Sequence, residues 1–162
     1  MKKPMLAHKF DDKRVDWSKP VYIQPKLDGV RCLFTKDGAF SRTGKQFMNV
    51  AHIELQLIPF FDQHPHTVLD GELYNHELKR DFEKIISLVR KQKPTEDDRW
   101  EADKLVQFHI YDFFMRSTNV PYRTRMNNLN TSDIYCRHIY HVPTTRVHSF
   151  EDARNFHNTF LQ

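Results

Sequence analysis

Apolar residues alternate with polar ones, or run together briefly, at Val21–Gln24, Val30–Thr35, Thr67–Leu73, Leu105–Phe114 and Ile139–Val142, which predicts strands there. Lys36-Asp37-Gly38 is a turn signal between the second of these and a short Ala39–Ser41 piece, and predicts a hairpin. Elsewhere the period lengthens to that of a helix. Asn49 stands where it can cap a helix carrying Ile53, Leu57, Ile58 and Phe61, and Pro59 is expected to kink or shorten that helix. Phe82, Ile85, Ile86 and Val89 follow the i, i+3, i+4, i+7 rule, so an amphipathic helix is expected over Asp81–Lys91. Thr95 opens Thr-Glu-Asp-Asp, a cap followed by acids that suit a helix N-terminus. Ser149 opens a last helix with Phe150, Ala153, Phe156 and Phe160 along one side, apolar almost to Gln162 and without a glycine stop. No internal repeat or Gly/Ser linker interrupts the pattern, which reads as one compact α+β body.

Composition narrows the class. The 162 residues are 39% hydrophobic and 28% charged with only 4 Gly, which argues against disordered and collagen-like chains. No apolar run approaches the roughly 18 residues of a membrane span. The Met1–Lys9 stretch has positive charges but no apolar core after them, so it does not read as a signal peptide. Two cysteines, Cys32 and Cys136, make neither a disulfide framework nor a metal cluster and are expected to be packed; a reducing, cytoplasmic-type compartment fits them. The 10 histidines form no metal-binding spacing. Charge is uneven: residues 1–48 hold 11 Lys and Arg against 5 Asp and Glu, and residues 49–162 hold 14 against 16. A basic first third suits a polyanionic partner, nucleic acid or nucleotide phosphates, or else a solvated lysine-rich face.

Four segments carry candidate chemistry. In Gln24-Pro25-Lys26-Leu27-Asp28-Gly29-Val30-Arg31, Pro25 and Gly29 bracket Lys26 and present it from a stiff corner. A lysine amine is a nucleophile only when deprotonated, and Arg31 is a candidate source of the positive charge that favours that form. Ser41-Arg42-Thr43-Gly44-Lys45 is a basic loop able to hold a ribose or a phosphate. In Leu69-Asp70-Gly71-Glu72-Leu73, strand alternation puts Asp70 and Glu72 on one face, where paired carboxylates could bind Mg²⁺ or receive hydroxyl hydrogen bonds. Phe108–Phe114 is dense in aromatics, any of which can be core or a platform for a base.

In this order, Lys-x-Asp-Gly-x-Arg, Ser-Arg-x-Gly, Asp-Gly-Glu and an aromatic-Asp strand resemble the ATP-dependent DNA ligases, most of all the small phage-type enzymes within the covalent nucleotidyltransferases. Lys3-Pro4-Met5-Leu6-Ala7 and the stretch Asp70–Pro94 look similar too, so the resemblance covers nearly the whole chain. It implies an α+β nucleotidyltransferase (ATP-grasp-like ligase adenylation) domain, with twisted antiparallel sheets flanked by helices around an ATP cleft. By position it implies that Lys26 takes AMP from ATP, that Asp28 organises the nucleophile loop, and that Arg31 contacts nucleotide or DNA phosphate. Arg42 matches the arginine of the second motif. Glu72, supported by Asp70, matches the acid that meets ribose or metal, and Tyr111 the ring that stacks on adenine. ATP and Mg²⁺ are the implied cofactors and nicked double-stranded DNA the partner. A monomer without membrane attachment is implied, in the cytoplasm of a bacterial or phage-infected cell, serving DNA repair, replication or recombination.

The family continues with a Glu-Gly-x-x-Val segment, a Lys-x-Lys segment and an OB-fold, none of which is found in this sequence. A partial adenylation domain is therefore expected over 1–162, binding ATP weakly, adenylating itself little and sealing no nick alone. RNA ligases, capping-type nucleotidyltransferases and a non-catalytic nucleotide- or DNA-binding remnant are the competing readings.

Overall fold

The structure, a computed structural model, describes residues 4–115, 118–130, 134 and 136–160; Lys3 and Gln162 lie outside these. The strands are β1 (Val21–Ile23), β2 (Val30–Thr35), β3 (Gly38–Phe40), β4 (Thr67–Tyr74), β5 (Gln107–Met115), β6 (Ile139–His141) and β7 (Thr145–Val147). The helices are α1 (Ala51–Gln63), α2 (Phe82–Val89), α3 (Glu96–Leu105), α4 (Tyr122–Asn130) and α5 (Phe150–Thr159). The mixed α+β class is as expected. The single body is not: the chain divides into a larger unit, residues 27–141, and a smaller one built from residues 4–26 and 142–160. The smaller unit joins segments far apart in sequence, which local periodicity cannot register.

In the larger unit five strands lie in the order β3-β2-β4-β5-β6. All neighbours are antiparallel except β5 and β6, which run parallel. Cys32 lies opposite Gly71, which lies opposite Ile110, and this row with Phe34, Leu69, Leu73 and Phe108 forms the core face of the sheet. Ile53 and Leu57 of α1 and Ile85, Leu88 and Val89 of α2 complete that core, with Ala102 of α3. Alternation then sends Arg31, Asp70, Glu72 and His109 to the opposite face, with Leu33 and Val68 beside them.

Several local expectations change for physical reasons. Asn49 caps no helix. It is buried and its amide donates to the carbonyls of Leu88 (3.0 Å) and Asp98 (3.2 Å), tying the start of α1 to α2 and α3. Helix α1 runs through Pro59 to Gln63. Pro59, Leu55 and Ile58 are exposed, so the Leu55 carbonyl that lacks its helical donor lies on the wet side. Helix α2 buries Ile85, Leu88 and Val89 and leaves Phe82 exposed, a rotation of the expected stripe. The Thr95 cap is present as a reciprocal box: Thr95 Oγ1 accepts from the Asp98 amide (3.2 Å) and Asp98 Oδ2 from the Thr95 amide (2.9 Å). Leu105 belongs to the end of α3 rather than to β5. Cys32 is fully buried and burial pushes its thiol pKa up; Cys136 is half-buried.

The smaller unit pairs β1 with β7 antiparallel, Val21 opposite Val147 and Ile23 opposite Thr145. Ser149 Oγ caps α5 by accepting from the Asp152 amide (3.0 Å), and the Phe10 and Phe150 rings stack at 6.1 Å. Helix α5 buries none of its residues; Phe150 and Phe160 are exposed. Among the described residues no helix is long and apolar enough to cross a membrane.

Candidate functional site

The Asp-Gly corner before β2 meets the C-terminal end of β4. A Cβ on Gly29 would stand 2.3 Å from the Leu73 carbonyl oxygen, so only glycine lets the two backbones approach this closely. The Gly29 amide donates to Glu72 Oε1 (3.2 Å), which links the first and third sequence segments directly. A second close approach lies two residues back along β4: a Cβ on Gly71 would stand 2.4 Å from the His109 carbonyl oxygen. Here the β4–β5 register steps from Asp70 opposite Asp112 to Gly71 opposite Ile110, so Tyr111 is the extra residue of a β-bulge. Bulges re-aim side chains. The Tyr111 hydroxyl makes a long, 3.5 Å donation to Glu72 Oε2, and the Arg31 guanidinium carbon lies 5.7 Å from its ring centroid, within cation–π range.

Arg31 grips Asp70 with two prongs, Nε to Oδ1 at 3.0 Å and Nη2 to Oδ2 at 2.7 Å. Donating to Asp70 raises the Arg31 pKa, yet burial raises that of Asp70 even against the favourable Arg31 hydrogen bonds and charge. Desolvation thus outweighs the attraction on the acid's side, as is common for a pair taken out of water. Asp112, directly opposite Asp70, adds to the upward push and is itself gripped by Arg125 of α4 (2.8 Å from both Nε and Nη2). Two acids that would repel each other across the strands are therefore each paired with a guanidinium, one from β2 and one from α4. Burial, and after it the Asp70 charge, pushes the Tyr111 phenol far above its ordinary range, which keeps it neutral.

Arg31, Asp70, Glu72 and Tyr111 thus share one face of one sheet. Arg42 is half-buried in the turn that follows β3, where the Ser41 amide donates to the Lys45 carbonyl (2.8 Å) and the Lys45 amide to Ser41 Oγ (3.0 Å). Asp28 is exposed and lies in the larger unit. Lys26 is exposed and ends the first segment of the smaller unit, next in sequence to Leu27 of the larger. Within the smaller unit Gln24 Nε2 donates to Thr144 Oγ1 (2.9 Å), which ties down the strand leading to Lys26. Arg125 was not anticipated; its helix is too polar for a hydrophobic period to reveal. His109 and Tyr74 were missed as well, although alternation from Tyr111 would have put His109 and Gln107 on the same face.

No group of three or more His, Cys, Asp or Glu side chains among the described residues is arranged to hold a metal. Of the two expected oxygen donors, Asp70 does not fit, because Arg31 holds both of its oxygens. Glu72 fits better, since Mg²⁺ commonly takes one carboxylate and completes its shell with water and substrate phosphate.

A sequence profile described as "ATP dependent DNA ligase domain" matches residues 4–162. The chain belongs to this ligase family. No curated protein sequence matches it. Among solved structures, one from a structure–function study titled "DNA binding with a minimal scaffold", on Lig E DNA ligases, is similar to this ligase-family chain with a TM-score of 0.71 and 19% identity over 99% of the chain and 58% of its own length. A structure titled "Pmar-Lig_Pre." gives a TM-score of 0.62 with 24% identity over 85% of the chain and 34% of its own. The ATP-dependent DNA ligase from bacteriophage T7, in complex with ATP, gives 0.62 with 13% identity over 85% and 52%. These likenesses concern the fold, and the chain spans between a third and three-fifths of each of those proteins.

Proposed function

We propose that this chain is part of the adenylation domain of an ATP-dependent DNA ligase and that the Arg31–Asp70–Glu72–Tyr111 face holds the nucleotide. The observation that supports this most is Glu72, which accepts from Gly29 on one side and Tyr111 on the other and so joins the lysine corner to the aromatic strand. On this reading the Glu72 carboxylate meets the ribose, Tyr111 stacks on adenine and Arg31, anchored by Asp70, faces phosphate. Arg42 adds a second cation beside the nucleotide, and Asp28 steadies the loop behind Lys26. Lys26 Nζ forms a bond to the α-phosphorus, the bond from that phosphorus to the bridging oxygen breaks, and pyrophosphate leaves with the electron pair while the amine proton passes to solvent. The AMP then moves to a DNA 5′-phosphate, and attack by the 3′-hydroxyl closes the nick in double-stranded DNA and releases AMP. Glu72 would hold Mg²⁺ together with the substrate phosphates, and the ion would supply charge neutralisation for the phosphoryl group being transferred.

The same reading has the protein act as a monomer in a cytoplasm, in repair, replication or recombination, and ascribes only weak ATP binding and little self-adenylation to these 162 residues alone. Incubation with ATP labelled at the α-phosphate, followed by peptide mapping, tests it. The label should sit on Lys26, vanish in Lys26→Ala, persist in Lys19→Ala and Lys36→Ala, and be absent with GTP. Label on another lysine overturns the assignment.

A further inference from the structure

The face that carries Glu72 continues past it. His109 of β5 lies directly opposite Glu72 of β4, and Tyr140 of β6 lies directly opposite His109. The three residues therefore share a face, and Tyr140 stands two strand spacings, about 10 Å, from Glu72. The His109 and Tyr140 rings are stacked, 4.9 Å apart and 14° from parallel. His109 is fixed from behind: Tyr74 meets it edge-on at 5.2 Å and Gln107 Oε1 lies 3.0 Å from its Nε2. Burial, and after it the His76 charge, lowers the His109 pKa to about 4, so the stack is uncharged at neutral pH.

Tyr140 is different from the rings around it. Strand β6 is the edge of the sheet among the described residues, and no further described strand lies beside the face of Tyr140 turned away from His109. The residue is 44% exposed, and its hydroxyl makes a long, 3.5 Å donation to the Arg137 carbonyl. Packing does not explain it, because the core lies on the other face, where Phe108 and Ile139 are opposed. Arg137, also exposed, puts a cation three residues away on the same edge.

We infer that the Tyr140–His109 stack is a platform for a nucleobase of a DNA strand, an unpaired base or one at a strand end, with Arg137 meeting the adjoining phosphate. The inference extends the ligase reading, which puts the mononucleotide at Glu72 and Tyr111, by giving the polynucleotide its own ring contact one to two strands along. A rigid, neutral aromatic pair with one open face suits any base, and sequence preference is not expected.

The test uses the 162-residue chain and a single-stranded DNA oligonucleotide of roughly ten nucleotides carrying 2-aminopurine, whose fluorescence falls when it stacks. Binding should quench the probe. Tyr140→Phe should keep both quenching and affinity, whereas Tyr140→Ala and Tyr140→Leu should lose the quenching and weaken binding about 5- to 150-fold. Tyr140→Leu retains apolar bulk at the edge, so loss in both variants, with unchanged far-ultraviolet circular dichroism, points to the ring face. Wild-type quenching and affinity in Tyr140→Leu, or no oligonucleotide binding by the unaltered chain, overturns the platform. An equal loss of ATP binding in Tyr140→Ala also overturns it, because the ring would then belong to the mononucleotide site. Lys26 labelling is measured in parallel: correct labelling with Tyr140-independent DNA binding rejects the platform alone, and Tyr140-dependent DNA binding with label on another lysine rejects the ligase assignment alone.

Discussion

The two faces of the five-stranded sheet use the same strands for opposite ends. On one, Cys32, Phe34, Leu69, Leu73, Phe108 and Ile110 are buried against helices and contribute by area removed from water. On the other, the same three strands carry Arg31, Asp70, Glu72, Tyr111 and His109, and burial there works against the charged groups, as the upward shift of Asp70 records. A face maintained at such a cost is one whose groups are wanted for something other than stability. The two glycines of close approach serve both sides: Gly71 faces the core between Cys32 and Ile110, and its lack of a side chain lets β5 bulge and turn Tyr111 onto the other face.

Substitutions should separate the two faces. Phe108→Ala removes a fully buried ring from the core face and should cost about 3–5 kcal/mol of unfolding free energy in a denaturant titration. On the opposite face Asp70→Ala should cost about 2–3 kcal/mol, because it strands a guanidinium only partly open to water, whereas the pair exchanged together, Arg31→Met with Asp70→Leu, should be near neutral in stability and lose ATP binding. If the double variant is as unstable as the single one, the charges hold the fold and the contrast between the faces fails. Tyr111→Ala should weaken ATP binding by about 1–3 kcal/mol while Tyr111→Phe costs little; equal losses would point to the hydroxyl that meets Glu72 rather than to the ring. The smallest effect concerns pH. His109 binds its proton less readily in the fold than when unfolded, so the unfolded chain takes up more protons between about 6.5 and about 4 and stability falls as pH drops through that window. His109→Gln should flatten this part of the thermal-stability profile; an unchanged slope would show that the ring titrates normally.

The strands and motifs of the site were legible because each is local. A Lys-x-Asp-Gly corner, an Asp-Gly-Glu strand and an aromatic strand announce themselves within eight residues, and alternation puts Asp70 and Glu72 together without any tertiary information. What was not legible depends on partners distant in sequence. Asn49 looks like a cap because the carbonyls that claim it belong to Leu88 and Asp98. The β1–β7 pairing that makes the smaller unit joins Val21 to Val147. Asp70 looks like a metal ligand until Arg31, opposite Glu72 on the next strand, is seen to hold both of its oxygens. The bulge at Tyr111 has only Gly71, on another strand, as its sign.

The central claim is that the charged face of the sheet binds a nucleotide, and calorimetric titration of ATP into the chain, with and without Glu72→Ala, tests it most directly. The account predicts measurable binding, weakened at least about tenfold by Glu72→Ala, since a hydrogen bond to a charged group contributes roughly 1.5–3 kcal/mol. Binding of equal strength in both proteins, or no binding by the unaltered chain, would contradict it.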